Sequence, residues 1–148
     1  MMKTRNFVSR GLIATVLSLS ALGAMAASNA VAFSAKLSGA SEVPANTSTG
    51  SGTLEASLDT QSNVLSWTVT DTGLTGAVKA GHFHGPAAAG ANAGVALGFT
   101  GGVESPIKGT ATLTAAQAAD LLAGKWYVNL HTAANPGGEV RGQVAPAQ

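Results

Sequence analysis

Apolar and polar residues alternate at period two in several stretches of the chain, the pattern of strands with one face against a core. Phe33, Ala35 and Leu37 fall on one face, as do Leu54, Ala56 and Leu58, then Leu65, Trp67 and Val69, and finally Trp126, Val128 and Leu130. Turn-forming residues separate these stretches: Asn46-Thr47-Ser48-Thr49-Gly50, the run Asp59 to Asn63, and Asp71-Thr72-Gly73. The pattern predicts an all-β fold, an antiparallel β-sandwich. One segment departs from it. Thr114-Ala115-Ala116-Gln117 is a capping-box sequence, followed by Ala118 to Ala123 and by Gly124, which suits the left-handed position after a helix. A short helix before the C-terminal strands is therefore expected. Gly85 to Gly102, rich in Gly and Ala, reads as a connection with one short strand around Val95 to Phe99. Glu42-Val43-Pro44 reads as the end of an edge strand, because proline has no N–H for the ladder.

The first residues follow a different pattern. Lys3, Arg5 and Arg10 precede an apolar run from Gly11 to Leu22, and Ala24-Met25-Ala26 forms a small-x-small site. This predicts a cleaved signal peptide over residues 1–26 and one exported domain over residues 27–148, periplasmic or secreted. The apolar run is too short for a good membrane span, and no later stretch reaches spanning length, so no integral membrane segment is expected after cleavage. Eight Lys and Arg stand against seven Asp and Glu in the whole chain; three of the basic residues lie in the leader, leaving five against seven, or about −2. No basic patch remains, which argues against a nucleic-acid partner. The chain has no cysteine, so stability must come from a packed core or a bound ligand rather than from disulfides.

The candidate chemistry lies in "AGHFHGP", Ala80 to Pro86. Strand residues two apart share a side, so Phe83 points to the core while His82 and His84 face outward, with Cα atoms about 6 to 7 Å apart. The same parity in Trp126-Tyr127-Val128-Asn129-Leu130-His131 places His131 outward with Tyr127 and Asn129. All three histidines of the chain are thus expected on the non-core side. Three imidazoles without a thiolate suit Cu(II) or Zn(II), and copper stands at the top of the divalent affinity order. The alternative is three solvated surface histidines, and strand parity alone does not say whether His131 lies near the pair. Asp59 and Asp71 read as turn formers, and Glu55 and Asp120 as solvated. No serine sits in a G-x-S-x-G context and no thiol nucleophile exists, so no hydrolytic set is found.

Four blocks in order, "LSGASEVPANTSTGSGTLEASLD" (Leu37 to Asp59), "LSWTVTDTGLTG" (Leu65 to Gly76), "AGHFHGPAAAG" (Ala80 to Gly90) and "WYVNLHTAANPGGEVRGQV" (Trp126 to Val144), resemble the CHRD domain, described first as repeats in chordin. That pattern in turn resembles part of the Cu/Zn superoxide dismutases, which implies an antiparallel Greek-key-like β-sandwich of superoxide dismutase-like form. The resemblance implies that His82, His84 and His131 match three copper positions and that Asn135-Pro136-Gly137-Gly138 matches the turn into the last strand. It also implies what is missing: the histidine bridging copper and zinc and the zinc histidines have no counterpart, so one copper ion and no zinc is expected. Glu139 stands where a dismutase has its anion-steering arginine, and an acidic group at the mouth would repel superoxide. Arg141, on the same strand face, either pairs with Glu139 or Glu42 or has a functional role. Asn129, Glu139 and Arg141 are the candidate supporting residues. Three functions follow: a non-catalytic module holding copper, a copper-only dismutase-like enzyme, or a metal-independent module that meets an envelope or extracellular protein.

Overall fold

The computed structural model describes residues 29–147, and the expected leader lies outside the described residues. Within them the elements are β1 (Ala30–Ser38), β2 (Ser51–Asp59), β3 (Val64–Thr72), β4 (Val78–His84), β5 (Val95–Gly98), β6 (Ile107–Thr112), α1 (Ala115–Leu122), β7 (Tyr127–Thr132), β8 (Val140–Gln143) and β9 (Ala145–Pro146). Eight strands follow one path, β5-β4-β7-β8-β1-β2-β3-β6, and β9 lies beside β1. Every pairing is antiparallel. The expected all-β fold with one short helix is the fold observed.

The first three strands form a meander in register, Ala35 opposite Leu54 and Leu54 opposite Val69. The β2–β3 turn is local chemistry: Asp59 Oδ1 accepts the N–H groups of Gln61 and Ser62, and Asn63 takes a left-handed φ of 56°. The inner faces supply Phe33, Leu37, Leu54, Leu58, Leu65, Trp67 and Val69, all buried.

Four strands separate β3 from β4 along the sheet, yet Trp67 on β3 meets Phe83 on β4 edge to face, with centroids 5.4 Å apart. The sheet must therefore curl until its two halves face each other, giving a β-sandwich. Phe99 stacks on Trp67 at 5.6 Å, and Trp126 lies 5.7 Å from Phe83. Two glycines make room for these rings: a methyl group at Gly81 would run into Phe99, and one at Gly109 into Trp67.

Helix α1 is capped as expected. Gln117 N–H donates to Thr114 Oγ1 and Thr114 N–H to Gln117 Oε1, while Gly124 takes φ 69° beyond the C-terminus. Ala118 and Leu121 face the core, and Gln117 Nε2 donates to Ala96 O of β5. Two local expectations are corrected. Asp71 does not form the turn but pairs with Gly52 inside β3, the left-handed residue being Gly73. Glu42-Val43-Pro44 is not a strand end: β1 stops at Ser38, a 3₁₀ turn spans Gly39–Ser41, and the Glu42 side chain turns inward to be buried. Among the described residues no helix is long and apolar enough to cross a membrane.

Candidate metal centre

β4 and β7 are neighbours, and their register sets the site. His82 lies opposite Asn129, His84 opposite Tyr127, and Ala80 opposite His131. Because Val128 and Leu130 belong to the core, Tyr127, Asn129 and His131 project from the outer face, where Arg141 of β8 lies opposite Asn129. This face is not open. Tyr127, Asn129 and Arg141 are each at most 4% exposed, because the 85–94 connection folds over them. The connection is tied down on several sides: Arg141 donates to Asn92 Oδ1 (2.8 Å) and Ala91 O (2.6 Å), Tyr127 Oη to Ala93 O (3.2 Å), Gln143 Nε2 to Ala87 O (3.1 Å) and Asn92 Nδ2 to Val43 O (2.9 Å).

The three histidines meet at its edge. Each offers one ring nitrogen, and these nitrogens lie within 4.8 Å of one another. His82 Nδ1 is 3.2 Å from His131 Nε2. The other ring nitrogens settle the tautomers: His84 Nδ1 lies 3.0 Å from Ala93 O and His131 Nδ1 3.0 Å from Pro136 O. A carbonyl only accepts, so in the neutral rings both protons sit on Nδ1 and both Nε2 lone pairs face the site. Burial holds the pKa of His82 below its ordinary value, with the neighbouring His131 and His84 acting in the same direction. Burial also lowers that of His84, against the hydrogen bonds its charged form would donate to Ala93 O and Asn129 Oδ1. Both rings are thus biased to the neutral form that binds metals. The His84 ring stacks parallel on Tyr127 at 4.8 Å, and the Arg141 guanidinium sits 3.4 Å from the same Tyr127 centroid. A group of this composition and spacing can hold a metal ion.

The supporting residues divide. Asn129 stands among the histidines, its Oδ1 3.1 Å from His84 Nε2 and 3.0 Å from His131 Nε2. Glu139 is elsewhere in function: it is fully buried and accepts from Ser48 Oγ (2.7 Å), Thr75 Oγ1 (2.6 Å), Thr75 N–H (2.8 Å) and Thr132 Oγ1 (2.5 Å). Burial would raise its pKa, but the donors from Thr132, Thr75 and Ser48 outweigh it and hold the carboxyl at about 2. The expectation that Glu139 forms the mouth of the site and, of the alternatives for Arg141, a pair with Glu139 are therefore corrected, since hydroxyls take up the carboxylate and the 85–94 connection takes up the guanidinium. Glu42, which the sequence placed on a strand edge, is the acid that lies near the centre. It is 8% exposed and its Oε1 accepts no hydrogen bond. Burial raises its pKa, opposed by the charge of Arg141 and by the Asn129 side chain.

The CHRD domain family profile matches residues 33–144. The chain belongs to the CHRD domain family. No curated protein and no solved structure matches it. In this CHRD domain the matched span runs from Phe33 on β1 to Val144 just after β8 and so includes all three histidines and the 85–94 connection.

Proposed function

We propose that this CHRD domain is the binding module of an exported protein and holds one metal ion, copper foremost, through His82, His84 and His131, without catalysis. The observation that supports this reading best is the convergence of three ring nitrogens, two of them with their lone pairs turned inward by backbone carbonyls. A surface cluster of unrelated histidines has no reason for that arrangement of protons. An all-nitrogen, thiolate-free imidazole set suits Cu(II), which leads the divalent affinity order. Titration of the purified protein with Cu(II) against a competing chelator tests it. One equivalent is expected to bind in the wild type and to be lost in His82→Ala and in His131→Ala. A site unchanged in both variants would refute the proposal. Superoxide turnover by the copper-loaded protein above that of the same copper released by acid would move the assignment to a dismutase-like enzyme. Capture of the same envelope protein by the wild type and by the triple histidine variant would favour the metal-independent interaction module.

A further inference from the structure

Asn129 occupies the centre of the buried outer face, opposite His82 on one side and Arg141 on the other, and is 4% exposed. Its Oδ1 approaches His84 Nε2 and His131 Nε2 to 3.1 and 3.0 Å. Neither contact has a proton to share between neutral groups. Both rings carry their proton on Nδ1, toward Ala93 O and Pro136 O, and an amide oxygen offers only lone pairs. His82 can place one proton between its Nδ1 and His131 Nε2, but that leaves both contacts to Asn129 as acceptor against acceptor. Turning the amide over does not relieve the conflict. Asn129 Nδ2 and Glu42 Oε1 flank the same small space above Gly138, and that buried carboxylate oxygen accepts no hydrogen bond. A reversed amide would set Oδ1 against the carboxylate instead. Lone pairs held together in this way call for a cation between them.

We infer that Asn129 Oδ1 is a fourth ligand, completing a set of three imidazole nitrogens and one amide oxygen around a single divalent cation, with Glu42 holding the amide in the required orientation. The inference rests on the three-histidine reading above and goes beyond it in closing the site. Donors about 2.0 to 2.2 Å from a first-row ion lie roughly 3 to 3.5 Å from one another. Three of the separations, 3.0, 3.1 and 3.2 Å, fall in that range, and the ring nitrogens as a group lie within 4.8 Å of one another. A filled fourth position is the arrangement of an ion that is held, whereas a catalytic ion keeps a position open for water or substrate. The amide also explains why a buried asparagine sits among imidazoles: its oxygen would serve the ion while its NH₂ group faces the Glu42 carboxylate.

The experiment compares wild type, Asn129→Leu and the isosteric Asn129→Asp, each loaded with one equivalent of Cu(II). Affinity is read by chelator competition and the donor set by electron paramagnetic resonance, with azide added as a probe of an open position. Asn129→Leu is expected to keep one site with histidine-nitrogen couplings, to bind 10- to 100-fold more weakly and to accept azide, which the wild type refuses. Asn129→Asp, whose oxygen remains in place, is expected to refuse azide and to bind at least as tightly as the wild type. Spectra, azide response and affinity unchanged in both variants would overturn Asn129 as a ligand while leaving the histidine site standing. Failure of the wild type itself to bind one equivalent would instead bring down the reading on which the inference rests. If Asn129→Leu does not fold, the Asp variant still decides: an amide oxygen replaced by a carboxylate must alter the copper spectrum if it is a ligand.

Discussion

Glu139 is a fully buried carboxylate held by hydroxyls and one backbone N–H rather than by a cation. Hydrogen bonds to a buried charged group are each worth about 1.5 to 3 kcal/mol, and several act here. Glu139→Gln keeps the shape but turns one acceptor into a donor facing donors, so a loss of about 2 to 4 kcal/mol in urea denaturation is expected. The pH dependence follows the same carboxyl. Its folded pKa of about 2 lies below the ordinary 4.5, so its contribution is fully present above 4.5 and is lost as pH falls toward 2. The Gln variant should lack that part of the acid slope, and an identical slope in both proteins would exclude Glu139 as its source. His82 and His84 act at higher pH. Their lowered values mean that the unfolded chain takes up protons first, so their contribution is lost as pH falls below 6.5.

At the level of elements, β4 joins the core to the candidate metal centre, because Gly81, His82 and Phe83 are consecutive. Gly81→Ala places a methyl group against Phe99 and Leu130 and should cost about 1 to 3 kcal/mol through overpacking. Thermal denaturation measures that cost; an unchanged midpoint would mean that the Phe99 ring moves aside freely. The elements also differ in how readable they are. The helix was legible because a capping box is a signal within four residues, and β1 to β3 were legible because their inner faces are built of large apolar side chains. β6 was not. In Ile107–Thr112 the inward positions after Ile107 are Gly109 and Ala111, small residues that fit under Trp67 and leave no alternation to read. Glu42 was misplaced for a related reason, since its burial comes from Gly138 and Asn129, about ninety residues away.

For the whole molecule, a ligand that binds only the folded state adds its binding energy to stability. At 100 times its dissociation constant, Cu(II) should raise the unfolding free energy by about 2.7 kcal/mol, a gain absent in His131→Ala. A gain of the same size in the variant would place the ion elsewhere. Strand parity put the three histidines on one face, but their meeting depends on β4 pairing with β7 across two intervening strands and a helix. Strand order is set by the curl of the whole sheet and is not carried by local periodicity. The same holds for Glu139. Its partners Ser48 and Thr75 come from two connections far away in the chain, and only the folded sandwich brings them under the β7–β8 turn.

Tyr127 is the one tyrosine in the sequence, and its ring lies flat on His84. A fluorine substituted on that ring therefore gives a single nuclear resonance located beside the centre, with no mutation at any ligand. Cu(II), whose unpaired electron relaxes nearby nuclei, should broaden that signal beyond detection, whereas diamagnetic Zn(II) should only shift it. In the purified protein the molecule thus offers its own proximity gauge for an ion bound at the histidines.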